Sequence, residues 1–466
     1  MTEIVLLTQW CFLLYFVALN GGYLLLSFIA IGYVSRYMQE HALSTLPEIY
    51  SGFDLPISIL VPAYNEETTI RASIWSLLEL SYAEYEILVI NDGSKDRTLD
   101  VLIREFALVP FPEAYQVSIA TRPVVAIYHS TVYPNLKVID KENGGKADSL
   151  NAGINISRCP LFCCIDADSI LQRDSLQRVV QPFLEDPSLV ACGGTVRVAN
   201  GSRVEGGFLV EVGLPRSPLA LFQIVEYTRA FLFGRMGWSP LNAMLIISGA
   251  FGLFRRQTVI SVGGYLSDTI GEDMELIVRL HRRLRLEGKR YRISFVPDPI
   301  CWTEAPEDLK TLMNQRVRWQ RGLSESLSKN RELLFHPKGG AVGWLAFPFF
   351  VLFEWLSPLI ELTGYLFTIV FFVLGYLPSP IVLAFFIASL GFGWLLSIGA
   401  LFLEEISFHI YPKPRQVLIL FLAALGESFG YRQLNSVWRL IGLYRWARGG
   451  AAHWGEMTRS GSWQRR

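Results

Sequence analysis

The chain has 466 residues, 51% hydrophobic and 18% charged, and its 42 basic and 42 acidic side chains leave no formal net charge. A soluble domain is about 25% charged, so part of this chain belongs in lipid, and the balance excludes the basic excess of a nucleic-acid-binding protein. Cysteines 11, 159, 163, 164, 192 and 301 make no CxxC pair, and six scattered histidines make no HExxH. The cysteines therefore read as reduced, buried thiols of a cytosolic compartment, and zinc hydrolysis is excluded.

Residues 1–35 are expected to form an N-terminal transmembrane helix. The run Ile4–Tyr33 is uncharged and broken only by Asn20-Gly21-Gly22, long enough for one crossing. It lacks a basic start and a cleavage site, so it should be retained. Over 52–304 the texture becomes that of a soluble α/β domain. Apolar runs at Ile57–Val61, Ile87–Ile90, Val124–Ile127 and Leu161–Ile165 alternate with helical patterns at Glu67–Leu80, Ala147–Asn155 and Asp174–Glu185. That rhythm predicts a parallel sheet with crossover helices, and ligands then bind at the carboxyl ends of the strands.

Residues 305–358 read as amphipathic, interfacial helices, ending with Ala341–Leu356. Between Lys338 and Lys413 there is no Lys or Arg, whereas both flanks are basic. Cytosolic loops collect basic residues, so both flanks should be cytosolic with an even number of crossings between. The expected pair within a transmembrane stretch 359–430 is Leu359–Leu377 and Ile381–Leu403, joined at Pro378-Ser379-Pro380; Val417–Phe429 is short enough to be re-entrant. Residues 431–466 carry seven arginines (432, 439, 445, 448, 459, 465, 466) against one Glu, as a basic cytosolic tail near anionic lipid would.

Four acidic motifs fall where the fold argument directs attention. The first strand ends in Val61-Pro62-Ala63-Tyr64-Asn65-Glu66 and the second in Asn91-Asp92-Gly93-Ser94. An aspartate closing a buried strand can accept hydrogen bonds from a base or ribose, although Asn-Asp-Gly is also an ordinary turn. Asn143-Gly144-Gly145-Lys146 precedes a helix, the arrangement of a phosphate cradle, without the Ser or Thr of a Walker loop. After Leu161–Ile165 come Asp166 and Asp168, which a period of two puts on one side. Two such carboxylates can hold Mg²⁺ or Mn²⁺, with phosphates and water completing the shell. Gly271-Glu272-Asp273 opens a helix. These acids could merely cap it, or they could supply the general base of a group transfer. Finally, Gln315, Arg318 and Trp319 are spaced i, i+3 and i+4 and so share a helix face, able to meet phosphate and stack on a sugar. The GxSxG pattern at Gly426–Gly430 lacks a strand–turn–helix context and reads as a helix contact, not a nucleophile elbow.

In order, VPAYNE (61–66), NDGS (91–94), NGGKADSLN (143–151), DAD (166–168), SGAFG (248–252), GED (271–273) and QRVRW (315–319) resemble the membrane-bound processive family 2 glycosyltransferases, the cellulose, chitin, hyaluronan and poly-N-acetylglucosamine synthases. The GED and SGAFG forms are more similar to the last three than to cellulose synthase. The resemblance implies a GT-A, Rossmann-like catalytic domain at the cytosolic face of the inner or plasma membrane, in a multi-pass chain. It implies that Tyr64, Glu66 and Asp92 hold uridine, that Lys146 approaches ribose and diphosphate, and that Asp166 and Asp168 bind the donor and its Mg²⁺ or Mn²⁺. Asp273, with Glu272 beside it, would be the general base. Gln315, Arg318 and Trp319 would line the diphosphate and acceptor, and Gly249 would lie beside the acceptor sugar.

The implied activity is inverting transfer from a UDP-sugar (UDP-GlcNAc or UDP-Glc) to a growing β-linked polysaccharide, coupled to export. Its partners are the UDP-sugar donor, a polysaccharide or glycolipid acceptor and the lipid bilayer, with room for an accessory export protein and none for nucleic acid. No cyclic-nucleotide-binding domain like that of bacterial cellulose synthases is expected. The rival within the family is a non-processive transferase adding one sugar to a lipid or glycolipid. A rival from another class, a transporter or binding module with a decayed enzyme domain, would not need the intact acid set Asp92, Asp166, Asp168 and Asp273.

Overall fold

Aliphatic and β-branched residues crowd the segments that become strands, and β1, β6 and β8 are buried almost throughout, as strands covered on both faces must be. The computed structural model describes residues 2–43, 55–205 and 207–449. The described strands are β1 Ile57–Ala63, β2 Tyr85–Asp92, β3 Leu108–Pro110, β4 Val124–Ser130, β5 Leu136–Lys141, β6 Leu161–Ile165, β7 Ile170–Leu171, β8 Leu189–Val198, β9 Arg203–Glu205, β10 Phe208–Glu211, β11 Phe251–Arg255 and β12 Arg292–Thr303. All but β9 and β10, which pair separately, join one sheet in the order β3-β4-β5-β2-β1-β6-β11-β8-β12-β7.

The α/β class agrees with the sequence, but the sheet is mixed, which corrects the parallel expectation. Strands β5, β2, β1 and β6 run parallel, as do β8 and β12. The β3–β4–β5 edge is antiparallel, and β11 lies antiparallel between β6 and β8. A parallel step needs a crossover of a dozen or more residues; β4 and β5 are separated by residues 131–135 alone, which permits only a hairpin.

Helices Ile70–Leu78, Lys146–Ile156 and Ser175–Glu185 occupy the three predicted helical patterns. Beyond the sheet, Glu272–Leu286 and Leu309–Lys329 carry the two later motifs. By length and composition, Thr2–Gln39 and Ser379–Phe408 are sufficient to cross a bilayer. The count rises to four if the bent pairs Val342–Trp355 with Ser357–Val373 (46°) and Pro414–Gly426 with Tyr431–Ala447 (58°) are each one span.

The 431–466 segment is not simply a tail. Tyr431–Ala447 is a helix packed on Leu309–Lys329, and its Arg432 and Arg439 are engaged by Glu427, Gln320 and Glu354; Arg459, Arg465 and Arg466 lie outside the described residues. The GxSxG pattern sits at the 58° break. Gly430 has φ +93, a conformation that favours glycine, and this explains it better than a helix contact. Of the cysteines, 163, 164, 192 and 301 are buried as expected, whereas Cys11 faces outward from the N-terminal helix.

Candidate active site

Strand ends and helix starts converge. Tyr64, Glu66, Asp92, Lys146, Asp166, Asp168, Gly249, Glu272, Asp273, Gln315, Arg318 and Trp319 all line one cleft of about 1410 Å³ at the carboxyl ends of β1, β2 and β6. This is the crevice position that an α/β sheet offers a ligand.

Its floor is organised by Asp92. Oδ1 accepts from Lys141 Nζ (2.7 Å) and the Gly144 N–H (2.9 Å), and Oδ2 from Asn143 Nδ2 (3.1 Å) and the Gly145 N–H (2.7 Å). Gly145 adopts φ +88 as the loop turns into the helix. The glycine loop is therefore a cradle already filled by a carboxylate of the chain itself, which corrects its reading as a phosphate cradle. Four bonds also leave Asp92 little acceptor capacity for a nucleoside. Its geometry is that of a residue ordering the loop that carries Lys146, not the direct uridine contact the resemblance implied. Lys141, fully buried, also meets Asp148 (2.6 Å) and the Glu142 carbonyl (2.6 Å). Sequence reading missed this lysine, although a cation at the end of an apolar strand was a usable signal.

On the next wall, Lys146 Nζ pairs with Asp166, donates to the Gly249 carbonyl (3.2 Å) and stands 4.0 Å from Glu272. Burial works against its charge, but Asp166 and then Glu272 more than offset that, so its pKa is raised. The other side of the same glycine faces the base: the Gly249 N–H donates to Asp273 Oδ2 (3.0 Å), while Oδ1 accepts from the Met274 N–H (2.8 Å). A Cβ at 249 would lie 3.1 Å from Lys146 Nζ and 3.3 Å from Asp273 Oδ2. Glu272, 5% exposed, is pushed up to about 7 chiefly by burial; Lys146 opposes that rise and Asp273 adds to it.

Asp166 and Asp168 flank the turn after β6, and Asp168 is largely buried. Among the described residues no group of three or more His, Cys, Asp or Glu could hold an ion. A hard-oxygen pair that leaves the remaining coordination to phosphates and water fits magnesium or manganese chemistry.

Gln315 and Arg318 reach the cleft from the Leu309–Lys329 helix, with half-exposed Trp319 beside them. The Gln315 side chain is buried, and its Oε1 has no hydrogen-bond partner among the described residues. Arg316, between them, turns away to clamp Glu226 (2.8 and 2.9 Å) and lies 4.4 Å over the Trp319 ring. Sequence reading also missed Arg235, which enters the cleft from an apolar segment with no motif to mark it.

The model of the family described as "Glycosyl transferase family group 2" matches residues 161–396, and that of "Glycosyl transferase family 2" matches 58–113. The chain is 30% identical over 291 residues to the poly-beta-1,6-N-acetyl-D-glucosamine synthase of Staphylococcus aureus strain COL, covering 62% of this chain and 60% of the relative. It is 30% identical over 275 residues to that of Staphylococcus epidermidis, covering 59% and 56%. The chain thus spans about 60% of the length of these relatives. Among solved structures, the mannosyltransferase PcManGT from Pyrobaculum calidifontis in complex with GDP-Man and Mn²⁺ is similar at TM-score 0.49 and 17% identity, covering 92% of this chain and 99% of that one. S. aureus TarS 1–349 with UDP-GlcNAc is similar at TM-score 0.40 and 14% identity, with 85% and 92% covered. With one family model spanning 236 of its 466 residues, and with the acid set of the cleft intact, the chain belongs to glycosyl transferase family group 2.

Proposed function

We propose that this enzyme is an inverting transferase that moves N-acetylglucosamine from UDP-GlcNAc to the growing end of a β-linked polysaccharide. The catalytic domain works at the cytosolic face of the cell membrane, and the product leaves through the membrane helices. The single observation that carries the proposal is the meeting of seven separate motifs on one cleft, with four aspartates among them. The printed activity of the staphylococcal relatives supports the sugar and the polymer.

In this reading an acceptor hydroxyl attacks the anomeric carbon from the face opposite the nucleotide. The bond from that carbon to the diphosphate oxygen breaks, UDP departs, and Asp273 takes the hydroxyl proton. Two backbone N–H groups, from Gly249 and Met274, fix the carboxylate for that role. Asp166 and Asp168 would hold a divalent cation, Mg²⁺ or Mn²⁺, which when bound offsets charge on the departing diphosphate. Lys146 and Arg318 add positive charge on the same side, where preorganised donors are most effective. Tyr64 and Glu66 line the end of β1, open to the nucleoside.

Purified protein given UDP-GlcNAc and a divalent cation should release UDP and build polymer, with UDP-Glc and UDP-GlcA poorer donors. Asp273→Asn should keep nucleotide binding and lose transfer by at least 100-fold. Retained turnover in that variant would remove Asp273 from the role. A single-sugar adduct in place of polymer would identify the non-processive alternative.

A further inference from the structure

The helix Pro218–Arg229 loosens into π turns over Ala230–Arg235 before ending at Met236–Trp238, a departure that recurs at functional sites. Tyr227, Ala230, Phe231 and Arg235 from this stretch line the cleft. Spaced i, i+4 and i+8, Tyr227, Phe231 and Arg235 form one stripe. The stripe begins where the Tyr227 ring lies 6.4 Å from that of Trp319, and runs through Phe231, 6.0 Å further on, to the guanidinium of Arg235, which sits 3.7 Å over the Phe231 ring.

Arg235 is anomalous among the cations of the cleft. Lys146 has Asp166, Arg316 has Glu226 and Arg439 has Glu354, whereas Nη1 of Arg235 is shielded from solvent and has no hydrogen-bond partner among the described residues. An unsatisfied buried donor, and more so a charged one, costs several times what a made bond returns, so a ligand has reason to complete it. Burial pushes this guanidinium down to about 10, with Asp273 opposing the fall.

The Gly249 peptide divides the cleft. Its carbonyl faces Lys146 and Asp166, where the diphosphate belongs, and its N–H faces Asp273. The carboxylate whose charge acts on Arg235 is Asp273, which puts Arg235 on the base side. Resting on the transferase reading above, we infer that Arg235 binds the terminal sugar of the acceptor, donating to a hydroxyl or N-acetyl carbonyl oxygen beside Asp273, and that Tyr227 and Trp319 form the aromatic wall along which that sugar lies. Rigid rings and a planar donor suit a pyranose ring, with apolar faces and a polar rim. Exposed Ala230 leaves room for the sugar between Tyr227 and Arg235.

The test uses the full chain in detergent, with UDP-GlcNAc and a β-linked N-acetylglucosamine tetrasaccharide as the acceptor probe. Arg235→Gln should raise KM for the tetrasaccharide at least tenfold more than KM for UDP-GlcNAc, and Arg235→Lys should recover part of that difference. Ala230→Leu, on the exposed part of the same wall, should give the same selective rise, and it stands in if the arginine variants fold poorly. Equal rises in both constants, or a larger rise for the donor, would move Arg235 to the diphosphate and overturn the inference, as would an unchanged tetrasaccharide KM in all three variants. Wild-type protein releasing no UDP from any UDP-sugar would instead fail the transferase reading itself.

Discussion

Lys141 is fully buried, and its ammonium is spent on Asp92, Asp148 and the Glu142 carbonyl. Removing such a cation leaves two buried carboxylates uncompensated, a loss of about 3–5 kcal/mol for a broken buried pair. Lys141→Met should therefore lower the unfolding temperature by several degrees and, by freeing the Gly144–Gly145 loop, lose UDP release; an unmoved melting curve would refute this. Glu272 gives a prediction of opposite sense. Its carboxyl is raised from 4.5 to about 7, first by burial and then by Asp273, with Lys146 opposing. The folded state thus favours the neutral acid, and this contribution to stability is complete below about 4.5 and lost as pH rises through about 7. Glu272→Gln, which cannot ionise, should gain stability relative to wild type between pH 5 and pH 8; melting profiles that stay parallel over that range would count against it. Asp166 and Asp168 were legible because carboxylates following an all-apolar strand lack a structural excuse. Asp92 was located correctly, but its task was not, because the four donors that occupy it come from a loop about fifty residues away.

Two glycine contacts fix the helix that carries Gln315, Arg318 and Trp319. A Cβ at Gly322 would lie 2.8 Å from the Cα of Gly271, the residue that opens the Glu272–Asp273 helix, and a Cβ at Gly442 would lie 2.8 Å from the Val317 carbonyl. The amide, guanidinium and indole are therefore held against the base helix on one side and against Tyr431–Ala447 on the other. Gly322→Val and Gly442→Val should each lower kcat at least tenfold by parting these helices, with overpacking costing about 1–3 kcal/mol. Gly391→Ala, whose added Cβ would meet only Ile387 at 3.7 Å, should match wild type; turnover undiminished in both valine variants would show that the spacing is not critical. The elements the sequence revealed are apolar runs bounded by turn residues. Strand β12 escaped notice because Pro297 and Pro299 argue against a strand, yet pairing with β8 shifts register around them. In β8, Gly193 and Gly194 weaken the pattern but let Ile300 and Phe295 pack against the backbone.

At the scale of the molecule, the sheet is fastened to the apolar helices by charge. Arg197, near the end of β8, pairs with Glu404 of the Phe392–Phe408 helix; Thr228 accepts from the arginine (3.3 Å) and donates to Glu404 (3.1 Å). A carboxylate in so apolar a helix is expensive unless partnered. The partner lies 207 residues earlier in the chain, so hydropathy could reveal the helix but not what its acid holds. A second clasp of the same kind joins Glu427 to Arg229 (2.5 Å) and Arg432 (2.5 Å) at the helix break. If Arg197–Glu404 is a fastening and not a catalytic pair, losing one partner should hurt more than replacing both. Glu404→Ala strands a guanidinium, 4% exposed as a side chain, and should cost about 3–5 kcal/mol, whereas Arg197→Met with Glu404→Leu, of similar volume, should return most of it. Unfolding in detergent would show a deep loss for the single variant and near-wild-type melting for the double, with UDP release following stability in both. A double variant as damaged as the single would mean that the pair's charge, not its packing, is what the assembly of sheet and helices requires.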